Sequence, residues 1–229
     1  MRTFILLMML IVVSKFYAQE ETKENSEKIY FSQQIATSRI NTLFEPKHTM
    51  ADYEFKIVKK KYKKLVRQEL EGSYMNDLSF SCLNTNKSSI NEYDNPVILV
   101  TYAIWNVPGK GEIQVINNFA TKYQDQIDFI MLFWDNRMNV REAVSGINDD
   151  VHIVYVNEKW NEHNATIRIL KHSLGFPKLF SIASDKRILK IKNMKGLPFH
   201  MDLKKAIDIN KKFFDNLISI INKYEMKEG

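Results

Sequence analysis

Three runs of β-branched and aromatic residues divide the chain. Residues 97–102 (Val-Ile-Leu-Val-Thr-Tyr), 127–133 (Ile-Asp-Phe-Ile-Met-Leu-Phe) and 151–156 (Val-His-Ile-Val-Tyr-Val) are nearly continuous in apolar character. Such runs predict strands buried on both faces rather than on one. Between them the period changes to that of a helix. Ile113, Ile116, Phe119, Ala120 and Tyr123 share one side of a helix predicted over about 107–123, and a shorter helical stretch falls near 140–144. Residues 161–173 read as another helix. Short strands at 178–182 and 187–191 flank the turn Ala183-Ser184-Asp185-Lys186, a hairpin spacing. A last helix is predicted over about 202–224, with Asp202 as N-cap and Leu203, Ala206, Ile207, Phe214, Leu217, Ile218 and Ile221 as its apolar stripe. Strand–helix–strand units followed by a hairpin and a closing helix imply an α/β fold, a central mixed sheet flanked by helices.

Ahead of this pattern the chain is different. Residues 78–83 alternate and predict an early strand. Over residues 50 to about 71 the positions Phe55, Val58, Tyr62, Leu65 and Val66 repeat at helical spacing, and Gly72 ends the run. The opposite face is crowded with Lys56, Lys59, Lys60, Lys61, Lys63, Lys64 and Arg67. A basic amphipathic helix of this kind either packs its stripe on a domain with the lysines solvated, or lies on an anionic membrane surface. Residues 19–49 are polar, with scattered apolar positions such as Phe31 and Ile35. The predicted organisation is residues 1–18 as a signal peptide, 19–76 as an N-terminal helical extension and 77–224 as the main domain.

The signal peptide rests on order of regions: Arg2, an uncharged apolar run over 4–13, then a small residue at Ala18. The run is short of the ~20 residues needed to span a bilayer. An exported protein, in the periplasm or outside the cell and soluble after cleavage, is the expectation; retention as an anchor is the alternative. The formal charge of +6, reduced by loss of Arg2 and Lys15, is mild and distributed along the chain. With no recognition motif, nucleic acid is not an expected partner. The five histidines are scattered without metal-ligand spacing, so no metal or other cofactor is expected. The single cysteine, Cys82, excludes an internal disulfide and is expected to be a buried, unreactive thiol.

The run Trp105-Asn106-Val107-Pro108-Gly109-Lys110-Gly111-Glu112, directly after the first buried strand, resembles the thioredoxin superfamily, and most closely its exported thiol–disulfide oxidoreductase (redoxin) branch. There a strand leads into Trp-Cys-x-Pro-Cys-x-x-Glu. Trp105, Pro108 and Glu112 match, whereas Asn106 and Gly109 stand at the two cysteine positions. Phe176-Pro177 matches the family's cis-proline element before the hairpin, and Phe133-Trp134-Asp135 also resembles this branch. The resemblance covers about 77–224 and implies a thioredoxin-like fold.

It also implies loss of the redox reaction. A thiolate at a helix N-terminus attacks, and a second thiol three residues on resolves the mixed disulfide. Asn106 keeps a good N-cap residue at the expected helix start but removes the nucleophile. The expectation is therefore a non-catalytic protein- or peptide-binding module of the cell envelope, a pseudoenzyme in which Trp105, Asn106, Val107, Pro108, Phe176 and Pro177 line the former active-site groove. Two alternatives stay open. One is a thiol-dependent oxidoreductase or peroxidase-type enzyme using Cys82 with an external thiol. The other is a membrane-surface or scaffold role through Lys56, Lys59, Lys60, Lys63, Lys64 and Arg67.

Overall fold

A computed structural model describes residues 28–40, 52–105, 108–160, 162–172, 178–194, 196–198 and 200–228. Helix α1 spans Phe31–Thr37 and α2 spans Asp52–Leu65, continued by a π-type turn over Val66–Leu70. Then come β1 (Ser81–Cys82), β2 (Val97–Tyr102), α3 (Glu112–Tyr123), β3 (Asp128–Phe133), α4 (Arg137–Ala143) and β4 (Val151–Tyr155). A short α5 (Asn164–Thr166) runs into a second π-type turn, Ile167–His172. The chain closes with β5 (Lys178–Ile182), β6 (Ile188–Asn193) and α6 (Leu203–Glu228). The six strands form one sheet in the order β1-β4-β3-β2-β5-β6. The pairs β2·β3 and β3·β4 are parallel, while β1, β5 and β6 pair antiparallel. The three predicted core strands are the parallel centre.

Alternation along these strands assigns each sheet face its own cover. Ile98, Val100, Phe129, Met131 and Leu179 face α3 and α6, meeting Ile116, Phe119, Phe214 and Leu217. Val97, Leu99, Phe180 and Ile182 face the opposite way and meet Phe31, Ile35, Leu65, Val66 and Leu70. Phe31 and Phe180 make an edge-to-face contact at 5.8 Å between centroids. Fully burying an apolar side chain of this size stabilises by roughly 1.5–3 kcal/mol. The N-terminal segment is thus a layer of the core. It also covers the β6 edge: the Gly72 and Met75 amides donate to the Ile188 and Lys186 carbonyls, and the Ile188 amide donates to Ser73, each at 2.8 Å. Satisfying these backbone groups blunts an edge that would otherwise template pairing with another chain.

Several expectations change. The early strand is only two residues long on the ladder with β4, because the Phe80 amide turns back to Ser88 at 2.9 Å. Helix α1 was not anticipated, since only Phe31 and Ile35, one turn apart, point inward. The helix predicted over 161–173 begins only at Asn164, after the N-cap His163, whose φ is 53° and whose ring bridges Ser79 and Ser81, and it passes into a π-type turn at Ile167. Helix α3 starts at Glu112, five residues later than predicted, with Gly111 rather than Asn106 at its N-cap.

Gly111 explains that start. Its φ of 71° lies in the left-handed region, and a Cβ there would stand 2.8 Å from Ile207 Cγ1 on α6. The backbone of the α3 entry lies so close to α6 that a Cβ there would have to displace the Ile207 side chain. Gly111→Ala is expected to destabilise by about 2–3 kcal/mol, combining the left-handed penalty with displacement of a stiff β-branched neighbour. Gly146→Ala, at φ 92° but facing open space, is expected to cost about 1–2 kcal/mol. Urea unfolding checks both; equal costs would remove the close-approach explanation.

Candidate functional site

The β2 strand delivers the loop that carries the matched residues. At its end the Tyr102 carbonyl accepts from the Trp134 amide at 3.0 Å, tying the loop to the end of β3. Ala103 is buried, and the chain then emerges so that Trp105 is 76% exposed. Pro108 and Gly109 are half-buried. The following turn is pinned to α6: Asn210 donates to the Lys110 carbonyl at 3.2 Å, and Lys110 Nζ donates to the Met201 carbonyl at 2.8 Å. Of the expected groove residues the structure places Trp105 and Pro108 on this loop, with Gly109, the second degenerate cysteine position, beside Pro108. Asn106, Val107, Phe176 and Pro177 lie outside the described residues, as does residue 1–18 chemistry at the N-terminus. With Gly111 at the N-cap, the role of Asn106 as cap of α3 is corrected.

Beneath the turn sits Glu112, 2% exposed. Its Oε2 accepts from the Gly109 amide at 2.8 Å, while its Oε1 has no partner among the described residues. Burial outweighs that hydrogen bond and pushes its pKa up to about 7. In the sequence Glu112 counted only as a pattern match. Its isolation follows from an acid placed at the start of a helix whose neighbours Val115 and Ile116 are core.

The single thiol is elsewhere. Cys82 lies on β1, three strands from β2, which at the usual strand spacing puts it about 14 Å away across the sheet. It is half-buried rather than buried. Its Sγ donates to the Lys87 carbonyl at 3.0 Å, and burial, then the charge of Glu92, push its pKa up. Both effects disfavour the thiolate that nucleophilic chemistry needs.

Charge is not distributed as expected. Lys60, Lys63 and Lys64 of α2 and Arg67 of its π-type turn line a cleft together with β5, β6 and α6, whereas Lys56 and Lys59 are exposed outside that lining. At its floor is Lys178, which the sequence presented only as the first residue of a strand. It is 5% exposed, and its Nζ donates to Tyr62 Oη at 3.1 Å and Asn193 Oδ1 at 2.6 Å. Burial pushes the Lys178 pKa down to about 8 and the Tyr62 pKa up to about 12.

The raised pKa of Glu112 carries a stability prediction. A carboxyl whose folded pKa exceeds its unfolded value of about 4.5 contributes most below pH 4.5, and that contribution is lost as pH rises to 7. The loss is about 3 kcal/mol, with no further change above pH 8. Glu112→Gln is expected to flatten this part of the stability–pH curve, measured by urea unfolding at pH 5 and pH 8. A variant that keeps the full wild-type slope would show that Glu112 does not titrate in this window.

Neither a family model nor a curated protein matches the sequence. Solved structures do match. A thiol:disulfide interchange protein from Bacteroides sp. superposes with a TM-score of 0.50 at 12% identity, covering 66% of this chain and 90% of that one. A putative thiol:disulfide interchange protein DsbE from Chlorobium tepidum gives 0.49 at 13%, covering 66% and 97%. The thioredoxin domain of a thiol-disulfide oxidoreductase from Bacteroides vulgatus gives 0.48 at 12%, covering 62% and 96%. The Bacteroides sp. match, together with a mixed six-stranded sheet covered by helices on both faces and an N-terminal helical region, shows that this chain has the thioredoxin-like fold.

Proposed function

We propose that this protein is an exported, redox-inactive member of the thioredoxin-like proteins that binds an extended peptide or protein segment at the loop after β2. The observation that carries the reading is the separation of the chain's single thiol from that loop. Cys82 stands on the edge strand β1, its pKa pushed up, while the loop positions matching the family's cysteines hold Asn106 and Gly109. Dithiol exchange needs an attacking and a resolving thiol within reach of each other, and one cysteine supplies neither pair nor placement. What stays at the loop is an exposed aromatic. Trp105 is 76% exposed just after β2, and tryptophan is among the residue types enriched at binding hot spots. Asn106, Val107, Pro108, Phe176 and Pro177 are the remaining residues of the proposed groove. Export is supported by the apolar run over 4–13, and no helix among the described residues is long and apolar enough to cross a membrane.

The purified protein is expected not to accelerate insulin reduction by dithiothreitol, and Cys82→Ser is expected to behave identically. Turnover that disappears in Cys82→Ser would establish the thiol-enzyme alternative instead. In the same preparation, binding of reduced, carboxymethylated lactalbumin is expected to weaken about fivefold or more in Trp105→Ala. Unchanged binding would move the site away from this loop.

A further inference from the structure

The cleft between α2, the β5–β6 hairpin and α6 has a volume of about 1070 Å3, just above the roughly 300–1,000 Å3 typical of small-molecule sites. Nine of its lining residues are Lys or Arg and one, Glu71, is acidic. The whole chain carries a formal charge of only +6, so the rest of the molecule is slightly acidic and the positive potential is focused here. Glu71 offsets only one of these charges: its carboxylate pairs with Lys190 Nζ at 2.7 Å and accepts from the Ile191 amide at 3.2 Å.

The floor of the cleft distinguishes it from a solvated basic face. Lys178 is buried, yet among the described residues both of its side-chain hydrogen-bond acceptors, Tyr62 and Asn193, are neutral. An ammonium has three donors, and these two acceptors leave one for a ligand. Burying a charge without a counter-charge is costly, and here that cost is met only by neutral dipoles and by the Tyr62 ring, whose centroid is 4.9 Å from Nζ. Ile57, Val66, Ile191 and Phe213 supply apolar wall between the cations. Packed apolar surface with convergent cationic heads is the construction of a site for an anion with several negative oxygens.

We propose that this cleft binds a ligand bearing phosphate groups, with Lys178 as its buried anchor and the α2, β6 and α6 lysines closing around the remaining oxygens. Such a group completes the coordination of Lys178 and neutralises the mutual repulsion of the lining cations. A free phosphorylated small molecule and a phospholipid headgroup share this chemistry.

Pyrophosphate is the probe, titrated calorimetrically into the full-length mature protein at low ionic strength. Binding is expected, with Lys178→Met, which keeps the apolar stem, weakening it about tenfold or more. Lys56→Gln/Lys59→Gln, on the same helix but outside the lining, is expected to leave affinity within about twofold. Should Lys178→Met fail to fold, Lys192→Gln/Lys212→Gln at the lip is expected to weaken binding about fivefold or more. Vesicles of phosphatidylcholine with roughly one part in four phosphatidylglycerol identify the source. Sedimentation with vesicles that pyrophosphate reverses assigns a lipid headgroup, and pyrophosphate binding without sedimentation assigns a free ligand. Failure of both to bind overturns the proposal. So does binding that survives removal of Lys178, or of Lys192 and Lys212, or that falls equally in the Lys56/Lys59 variant, since each outcome describes diffuse charge rather than a site. These readouts do not involve Trp105, so they stand or fall apart from the peptide-binding reading.

Discussion

A strand buried on both faces needs two covering layers, and β2 sets that requirement for the whole molecule. Every residue from Val97 to Tyr102 is buried. Its parallel neighbour β3 is buried along its full length as well. One layer comes from α3 and α6, the helices that follow β2 and β6 in the chain. The other comes from α1, α2 and its π-type turn, and the segment after β4. After α2 and its π-type turn, the chain leaves this face by crossing the hairpin edge. That crossing creates the backbone pairs of Gly72, Ser73 and Met75 with the hairpin, and it holds α2 above Lys178. Core, edge protection and cleft therefore follow from one packing demand.

The parallel centre was legible because continuous β-branched runs have few alternatives at that length. The hairpin and α6 were legible for similar reasons: a four-residue polar turn, and an Asp202 cap whose Oδ1 accepts from the Lys205 amide at 3.0 Å. The start of α3 was not. A pattern search sees Pro108, Gly109 and Gly111 as helix residues of poor propensity, whereas the structure uses them as a turn whose last member needs a positive φ and an empty Cβ position. Likewise α1 has too few apolar positions to show a period, and Phe31 is placed by long-range burial against Phe180. The charge distribution was misjudged for the same kind of reason. The groups Lys60, Lys61, Lys63 and Lys64, then Lys178, Lys190 and Lys192, and Lys212 are far apart in the chain, and only the fold collects them.

Two buried ionisable groups now stand out, one on each side of the β2–β5 pair. Glu112 is a carboxyl held beneath the loop, with one oxygen unpartnered, and Lys178 is an ammonium held by neutral acceptors. Desolvation dominates both, in opposite directions: it raises the acid to about 7 and lowers the base to about 8. Each faces a different surface, the first below the Gly109 turn and the second at the floor of the basic cleft. The proposed peptide site and the proposed anion site are thus physically separate features of one sheet. The anion site depends on the N-terminal layer, because without it the face carrying Lys178, Phe180 and Ile182 would be open to water.

Native-state amide hydrogen exchange on the intact chain tests that dependence directly. If the N-terminal segment is a layer of the core, the amides of Gly72, Met75 and Ile188, which close the β6 edge, exchange only through the global unfolding that also releases Leu99 of β2. All four then show the same free energy and the same dependence on denaturant. Exchange of Gly72 and Met75 at much lower free energy, with little response to denaturant while Leu99 stays protected, would contradict the account and make the segment an appendage to a self-sufficient domain.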